Sequence, residues 1–365
     1  MEFKITRENF LEGLGKTQGV VEKKNTMPVL SNILLEADKK GLTISATDME
    51  VALVFTSAAQ VIQPGKITVS CRHIYDIVRE INQPEVVVSL KQGNRLEVKA
   101  GTSVFNIPGL EANEFPAIPT VEKTSVEVSC DVFLNMIEKT SFCMSTDETR
   151  HNLAGIHLEK EKGGAIRMVA TDGHRLSLVD QDFGSEGLDD VNVIIPRKGI
   201  GELKKMVSQE GCFELAVDKR HLCARKGNET LYARLIDGEF PDYGRVIPNK
   251  TGSLVSIPRQ DFIGALRRVS LLSNERSRGV VINLSPGHLE VFINNPDLGE
   301  AREEFKIDYK GEKLGIGFNA RYFLDVLNAM KDDMVILGVQ NELAPCVIKS
   351  EKDHGFLSVI MPMRI

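Results

Sequence analysis

The 365-residue chain has no apolar stretch long enough to cross a membrane, and its opening, Met1-Glu2-Phe3-Lys4, carries no signal-peptide pattern. A cytoplasmic, non-membrane protein is expected. Six cysteines, Cys71, Cys130, Cys143, Cys212, Cys223 and Cys346, form no CxxC pair, so reduced thiols acting mostly as core filler are expected. The seven histidines form no HExxH or other metal-binding pattern. Gly13-Leu14-Gly15-Lys16-Thr17 imitates the end of a phosphate loop, but Phe10 stands where its first glycine belongs, and the segment reads as helix. His174 lies beside Asp172 with no nucleophile spaced near it by a recognisable motif. These absences argue against an enzyme and against any cofactor. A net charge of −6 by itself likewise argues against a nucleic-acid binder that works by bulk attraction.

What the chain does have is an internal repeat of about 125 residues, stated three times. Phe10, Phe133 and Phe262 each follow a short β-like stretch and open an apolar run at helical spacing. The triplets Ala46-Thr47-Asp48, Ala170-Thr171-Asp172 and, more loosely, Ile293-Asn294-Asn295 keep the interval, as do Phe115-Pro116, Phe240-Pro241 and Met361-Pro362. Each repeat is doubled within itself. A strand around 67–69, 193–195 or 314–316 runs into a second amphipathic segment at 72–81, 197–207 or 321–330, with Asn319 a candidate N-cap. Stretches such as 41–45 and 166–169 read as hairpin strands. The expectation is an α+β protein of three tandem domains, 1–122, 123–250 and 251–365, each a typical domain size.

The charge is unevenly spread. Six helical windows (7–24, 72–80, 131–150, 197–210, 259–278 and 321–331) hold 19 Lys and Arg against 14 Asp and Glu, leaving −11 for the remainder. The excess sits in Arg197-Lys198 with Lys204-Lys205, and in Arg259 with Arg267-Arg268, Arg276 and Arg278. If six helices about 10 Å thick lined a ring, the hole would measure roughly 9 Å. Twelve helices leave roughly 28 Å, enough for a duplex about 20 Å across. A homodimer could surround DNA, and a monomer could not.

Residues in all three repeats carry a family resemblance. Thr171-Asp172-Gly173-His174-Arg175-Leu176, Pro196-Arg197-Lys198-Gly199, Asp237-Gly238-Glu239-Phe240-Pro241-Asp242-Tyr243, Leu272-Ser273-Asn274-Glu275, Phe318-Asn319 with Tyr322, and Met361-Pro362-Met363-Arg364-Ile365 resemble the bacterial sliding clamps. The resemblance implies three copies of a DNA-clamp domain in a head-to-tail dimeric ring, helices inside and sheets outside. It implies a processivity factor that encircles double-stranded DNA without reading its sequence. The partners it implies are the catalytic subunit of DNA polymerase III, a clamp loader and other replication and repair proteins. It further implies DNA contacts at Lys24, Arg72, Asp147, His151, Asn152, Arg197 and Lys198, with Asp147, His151 and Asn152 replacing the family's amide and two aromatics. A partner-peptide pocket falls on Leu153, Thr171, Gly173, His174, Arg175, Leu176, Pro241, Arg245, Val246, Asn319, Tyr322, Leu343, Pro345, Val359, Ile360, Met361, Pro362, Met363 and Arg364, and a dimer seam on Phe105 and Ile107 facing Leu271 and Leu272. On their residues alone, 356–361 reads as a core edge strand and Asp172-Gly173 as a hairpin turn. A protein-only scaffold is the alternative function.

Overall fold

The computed structural model describes residues 1–21, 27–147, 149–183, 188, 191–274 and 277–364. Every repeat opens on a strand that delivers its chain directly into a helix. Glu2–Thr6 leads to α1 (Arg7–Thr17), Val126–Ser129 to α3 (Cys130–Thr140), and Ser253–Pro258 to α5 (Arg259–Val269). The second half of each repeat does the same: Gly65–Ser70 leads to α2 (Cys71–Glu80), Asn192–Pro196 to α4 (Arg197–Val207), and Leu314–Asn319 to α6 (Ala320–Ala329). The Asn319 side chain caps α6 by accepting from the Arg321 amide at 2.9 Å, and Thr6 and Ser70 cap α1 and α2 in the same way. Phe10, Phe133 and Phe262 are fully buried, so the recurring phenylalanine is the anchor of each repeat's first helix.

Five of the six helices are shorter than the sequence windows, α2 being the exception. α1 stops at Thr17 and α3 at Thr140, where each threonine hydroxyl donates back to a carbonyl four residues earlier, Gly13 at 3.1 Å and Met136 at 2.8 Å. α5 stops at Val269 and passes into the 3-10 turn Ser270–Leu272. Arg150 and Arg278 are therefore not helical, and Lys24 and Arg276 lie outside the described residues. The helices proper still carry 13 Lys and Arg against 9 Asp and Glu, an excess of +4 that lies on α4 and α5.

The chain forms two compact units, and the central repeat is divided between them. In the first unit, strands Cys212–Val217, His221–Lys226 and Glu229–Arg234 continue through Val51–Ser57 into the first repeat's strands. In the second, Gly155–Lys160, Ile166–Thr171 and Arg175–Gln181 continue through Phe356–Ile360 into the third repeat's strands. The joints are equivalent. In each, the strand that follows a Thr-Asp turn pairs antiparallel with the last strand of the next repeat: Leu53 opposite Leu231 in one, Leu176 opposite Val359 in the other. Phe356–Ile360 is thus an interior strand, paired on both sides, and not the edge strand expected from its residues. Two strands of eight residues each have an edge left open over most of their length among the described residues: Ser103–Leu110, paired with Arg95–Ala100 and only at its end with Gly65–Ser70, and Gly299–Lys306, paired only with His288–Asn295.

The Thr-Asp triplets are one turn built twice. Thr47 donates to the Val51 carbonyl and accepts from the Met49 amide, while Asp48 accepts from the amides of Glu50 and Val51. Thr171 and Asp172 make the same four bonds to Arg175, Gly173 and His174. Gly173 occupies the left-handed position at φ +88°, where its counterpart is Met49 at φ +75°. Met49 is exposed and has little packing to lose. Met49→Gly should therefore raise stability by about 0.5–1 kcal/mol in urea denaturation, relief of the left-handed strain outweighing the added chain entropy.

Of the six thiols, only Cys212 is exposed. Burial pushes Cys346 up to about 12 and Cys71 up to about 11, and holds Cys143 well above the usual thiol range. Ellman's reagent at pH 8 should titrate one fast thiol in the native protein and six in denaturant.

Candidate partner pocket and DNA-facing residues

Arg175 begins its strand and is the hub of the second unit's polar interior. Its side chain is only 9% exposed. Nε donates to Asp172 at 3.0 Å, Nη1 to Asp325 on α6 at 2.7 Å, and Nη2 to the Phe142 carbonyl at 2.6 Å. The guanidinium also lies 4.5 Å from the Tyr322 ring centre. One arginine thus ties the Thr-Asp turn, the 3-10 turn Ser141–Cys143 that follows α3, and helix α6 together.

Next to this hub runs an apolar floor. Leu176 and Val359, opposite each other across the strand pair, are buried with Val169 and Leu178, and Phe240, Tyr243, Ile247 and Leu357 pack against them. The residues after Ile360 are held by backbone bonds, Met361 N–H to the His174 carbonyl at 2.9 Å and Met363 N–H to the Gly317 carbonyl at 2.8 Å. The C-terminal segment therefore lies against the second and third repeats together, with Pro362 half-buried and Arg364 exposed.

Of the expected pocket residues, the structure brings Thr171, Gly173, His174, Arg175, Leu176, Val359, Ile360 and Met361 onto one strand pair and its turn. Asn319, Tyr322 and Arg175 share a cavity of about 700 Å³. Pro241 lines a different cavity, of about 750 Å³, with His157, Glu159 and Arg167. Arg245 pairs with Asp242 at 2.8 Å, and Val246 is exposed beside it. Leu343 and Pro345 sit on the turn organised by Asn341, just before Cys346, which lies opposite Ile360. Leu343 is 82% exposed and Leu153 is buried. Phe142, Asp325, Arg278 and Arg321 belong to the same neighbourhood, although no local spacing in the sequence connects them to the turn at 171–175.

The expected DNA-facing residues differ in how free they are. Arg72 has an 84% exposed side chain, with Asp76 3.8 Å away. Arg197 is exposed, yet its Nη2 donates to the carbonyls of Met144 and Ser145. Lys198 pairs with Asp48 and also reaches the Val20 carbonyl at 3.3 Å. Asp147 accepts from Thr149 and lies 3.6 Å from Arg150; the Thr149 hydrogen bonds hold its carboxyl below the usual carboxylate range. His151 is exposed, and Asn152 donates to the Glu239 carbonyl at 3.3 Å. Lys24 falls outside the described residues. At the expected seam, Leu271 is 77% exposed, Phe105 is exposed and Ile107 is half-buried. The Leu272 carbonyl accepts from Asn295, the residue whose turn leads into the open strand Gly299–Lys306.

Comparison with known proteins agrees along the whole chain. Residues 1–119, 127–242 and 244–364 match the N-terminal, central and C-terminal domains of the DNA polymerase III beta subunit. The chain is 38% identical to the beta sliding clamp of Pseudomonas putida and 36% identical to that of Caulobacter vibrioides, covering all of each protein. It superposes on a crystal structure of the Caulobacter crescentus beta sliding clamp with a TM-score of 0.96 at 36% identity, complete in both chains. With three clamp domains in tandem, the chain belongs to the DNA polymerase III beta subunit family, the DNA sliding clamps.

Proposed function

We propose that two copies of this chain close head to tail into a ring around duplex DNA and tether the replicative polymerase to its template. The observation that carries this reading is the repeated joint. Two strands that follow a repeat's turn, Val51–Ser57 and Arg175–Gln181, each pair with the last strand of a neighbouring repeat. The third such strand, Gly299–Lys306, has an open edge among the described residues, and so does Ser103–Leu110, the last strand of the first repeat. Pairing these two between copies would make the third joint like the first two and cover both of these open edges. Leu271 and Leu272 would then meet Phe105 and Ile107. Domain limits at 122/123 and 250/251 fit this plan.

In the ring, the excess positive charge of α4 and α5 supports loose, sequence-independent contact with phosphates, with Arg72 the freest of the candidate contacts. Few contacts keep sliding fast, and topology does the holding. A clamp loader would open the ring, and the apolar floor with Met361 and the C-terminal segment would take peptide motifs from the polymerase and from repair proteins. The protein's part is tethering, with no bond made or broken.

The test is retention on a nicked circular plasmid after loading with a cognate loader and ATP, followed by cutting the circle. The clamp reading expects retention at raised salt, lost on linearisation. A protein that never stays, or that stays equally on linear DNA, would instead be the protein-only scaffold or an ordinary DNA binder. Arg72→Glu suits the accompanying variant better than changes at Arg197 or Lys198, whose side chains also hold the fold together. It should lower loading efficiency without altering thermal stability.

A further inference from the structure

We propose that Tyr243 is a positioning residue for partner binding, latching the loop 237–247 onto the sheet while His157 beneath the same loop works to release it; the role rests on the partner-pocket reading above. The loop has little backbone to hold it. Its backbone bonds among the described residues are one inside the 3-10 turn Tyr243–Arg245, Val246 N–H to the Tyr243 carbonyl at 3.0 Å, and one from the Asn152 side chain to the Glu239 carbonyl. Gly238 sits at φ +135°, which a side chain would resist, and gives the loop a hinge. The grip comes from side chains: Phe240, Tyr243 and Ile247 turn inward onto Val169, Leu176, Leu178 and Val359.

Among the described residues, the Tyr243 hydroxyl is the loop's polar anchor in the sheet. It donates to Glu159 and accepts from Arg167 Nη1 at 3.0 Å. The receiving end is rigid, because Asp180, directly across the strand pair, clamps Arg167 through two parallel bonds of 2.6 and 2.7 Å. Burial and the Glu159 hydrogen bond push the Tyr243 phenol up to about 12, so the donor keeps its proton at physiological pH. Beside this anchor the loop rests on a less settled contact. Phe240 stacks on the His157 ring, centres 4.7 Å apart and planes 11° from parallel. The His157 side chain is 5% exposed and its Nε2 meets Asn192 at 2.9 Å, but Nδ1 has no hydrogen-bond partner, Glu159 lying 4.0 Å away. A buried polar atom without a partner carries a cost that water would remove. Lifting the loop therefore satisfies His157 and undoes Tyr243, and the cavity of about 750 Å³ that both residues line gives room for the movement. Because the same loop carries Pro241 and Val246, the fraction of molecules with the latch made is the fraction whose pocket wall stands in place.

The experiment follows two readings on the full chain: the rate of tryptic cleavage after exposed Arg245, resolved by mass spectrometry, and fluorescence anisotropy of a labelled short peptide ending in a Leu-Leu pair. Tyr243→Phe keeps the ring on the apolar floor and removes both hydroxyl bonds. It should speed cleavage after Arg245 about tenfold, with cleavage elsewhere unchanged, and weaken the peptide by about threefold or more. Glu159→Gln, whose amide oxygen still accepts from Tyr243, should cleave like the native chain, and Glu159→Ala like Tyr243→Phe. His157→Leu removes the stranded nitrogen, keeps an apolar face under Phe240 and leaves exposed Asn192 to water, so cleavage should slow. If the cluster were only structural, losing any native contact would loosen the loop, and His157→Leu would speed cleavage instead. That result, or unchanged cleavage in Tyr243→Phe, would overturn the proposal. A loosened loop with undiminished peptide affinity would also overturn it while leaving the partner pocket standing. If the peptide failed to bind even the native chain, the pocket reading would fall and the positioning role with it. Should Tyr243→Phe not fold, the two Glu159 variants decide by the same readings.

Discussion

Arg175→Ala is expected to destabilise the second unit by about 3–5 kcal/mol, an effect as large as truncating a buried core phenylalanine. The cost comes from what the substitution leaves behind. Asp172 keeps its two backbone amides, but Asp325 and the Phe142 carbonyl lose their close donor, and Tyr322 loses the cation against its ring. Urea denaturation followed by circular dichroism should show the transition moving to lower urea. Arg175→Ala with Asp325→Ala, which removes one stranded charge, should recover part of the loss. A shift no larger than that of an exposed arginine such as Arg72 would mean the hub is decorative.

Leu271→Ala with Leu272→Ala should move the protein from dimer to monomer with the fold unchanged. Leu271 is 77% exposed, so its truncation removes little from the chain's own core. Burying one leucine is worth about 2 kcal/mol, and a closed ring has two seams, so Leu271 alone supplies about 4 kcal/mol per ring. That corresponds to roughly a thousandfold weaker association. Sedimentation velocity across a dilution series reads it directly; an unchanged distribution would sink the seam.

Much of this architecture was legible from residue identity, and the parts that were not share a cause. The three repeats were readable because Phe10, Phe133 and Phe262, and the Thr-Asp turns, recur at a fixed interval and each is a local device. Helix starts were readable for the same reason, as the Asn319 cap shows. Helix ends were not: Thr17 and Thr140 bond back on their own helices, which a periodic apolar pattern does not reveal. Nor could the sequence pair Arg175 with Asp325, 150 positions away, or show that Lys198 is bound to Asp48. Those bonds arise when distant strands meet, so the positive charge of α4 was visible while the share of it already engaged was not.

The repeated strand joint also sets where such a ring gives way. Two of its three kinds of joint are tied by the chain itself, so their strands meet at an effective concentration of millimolar order however dilute the protein. The third, proposed between Ser103–Leu110 of one copy and Gly299–Lys306 of the other, would have no covalent tether and would feel the true concentration of the protein. Dilution, heat or a loader should therefore part the molecule there first. Chemistry that is nearly the same at every joint becomes a door at the one joint whose two strands belong to different copies.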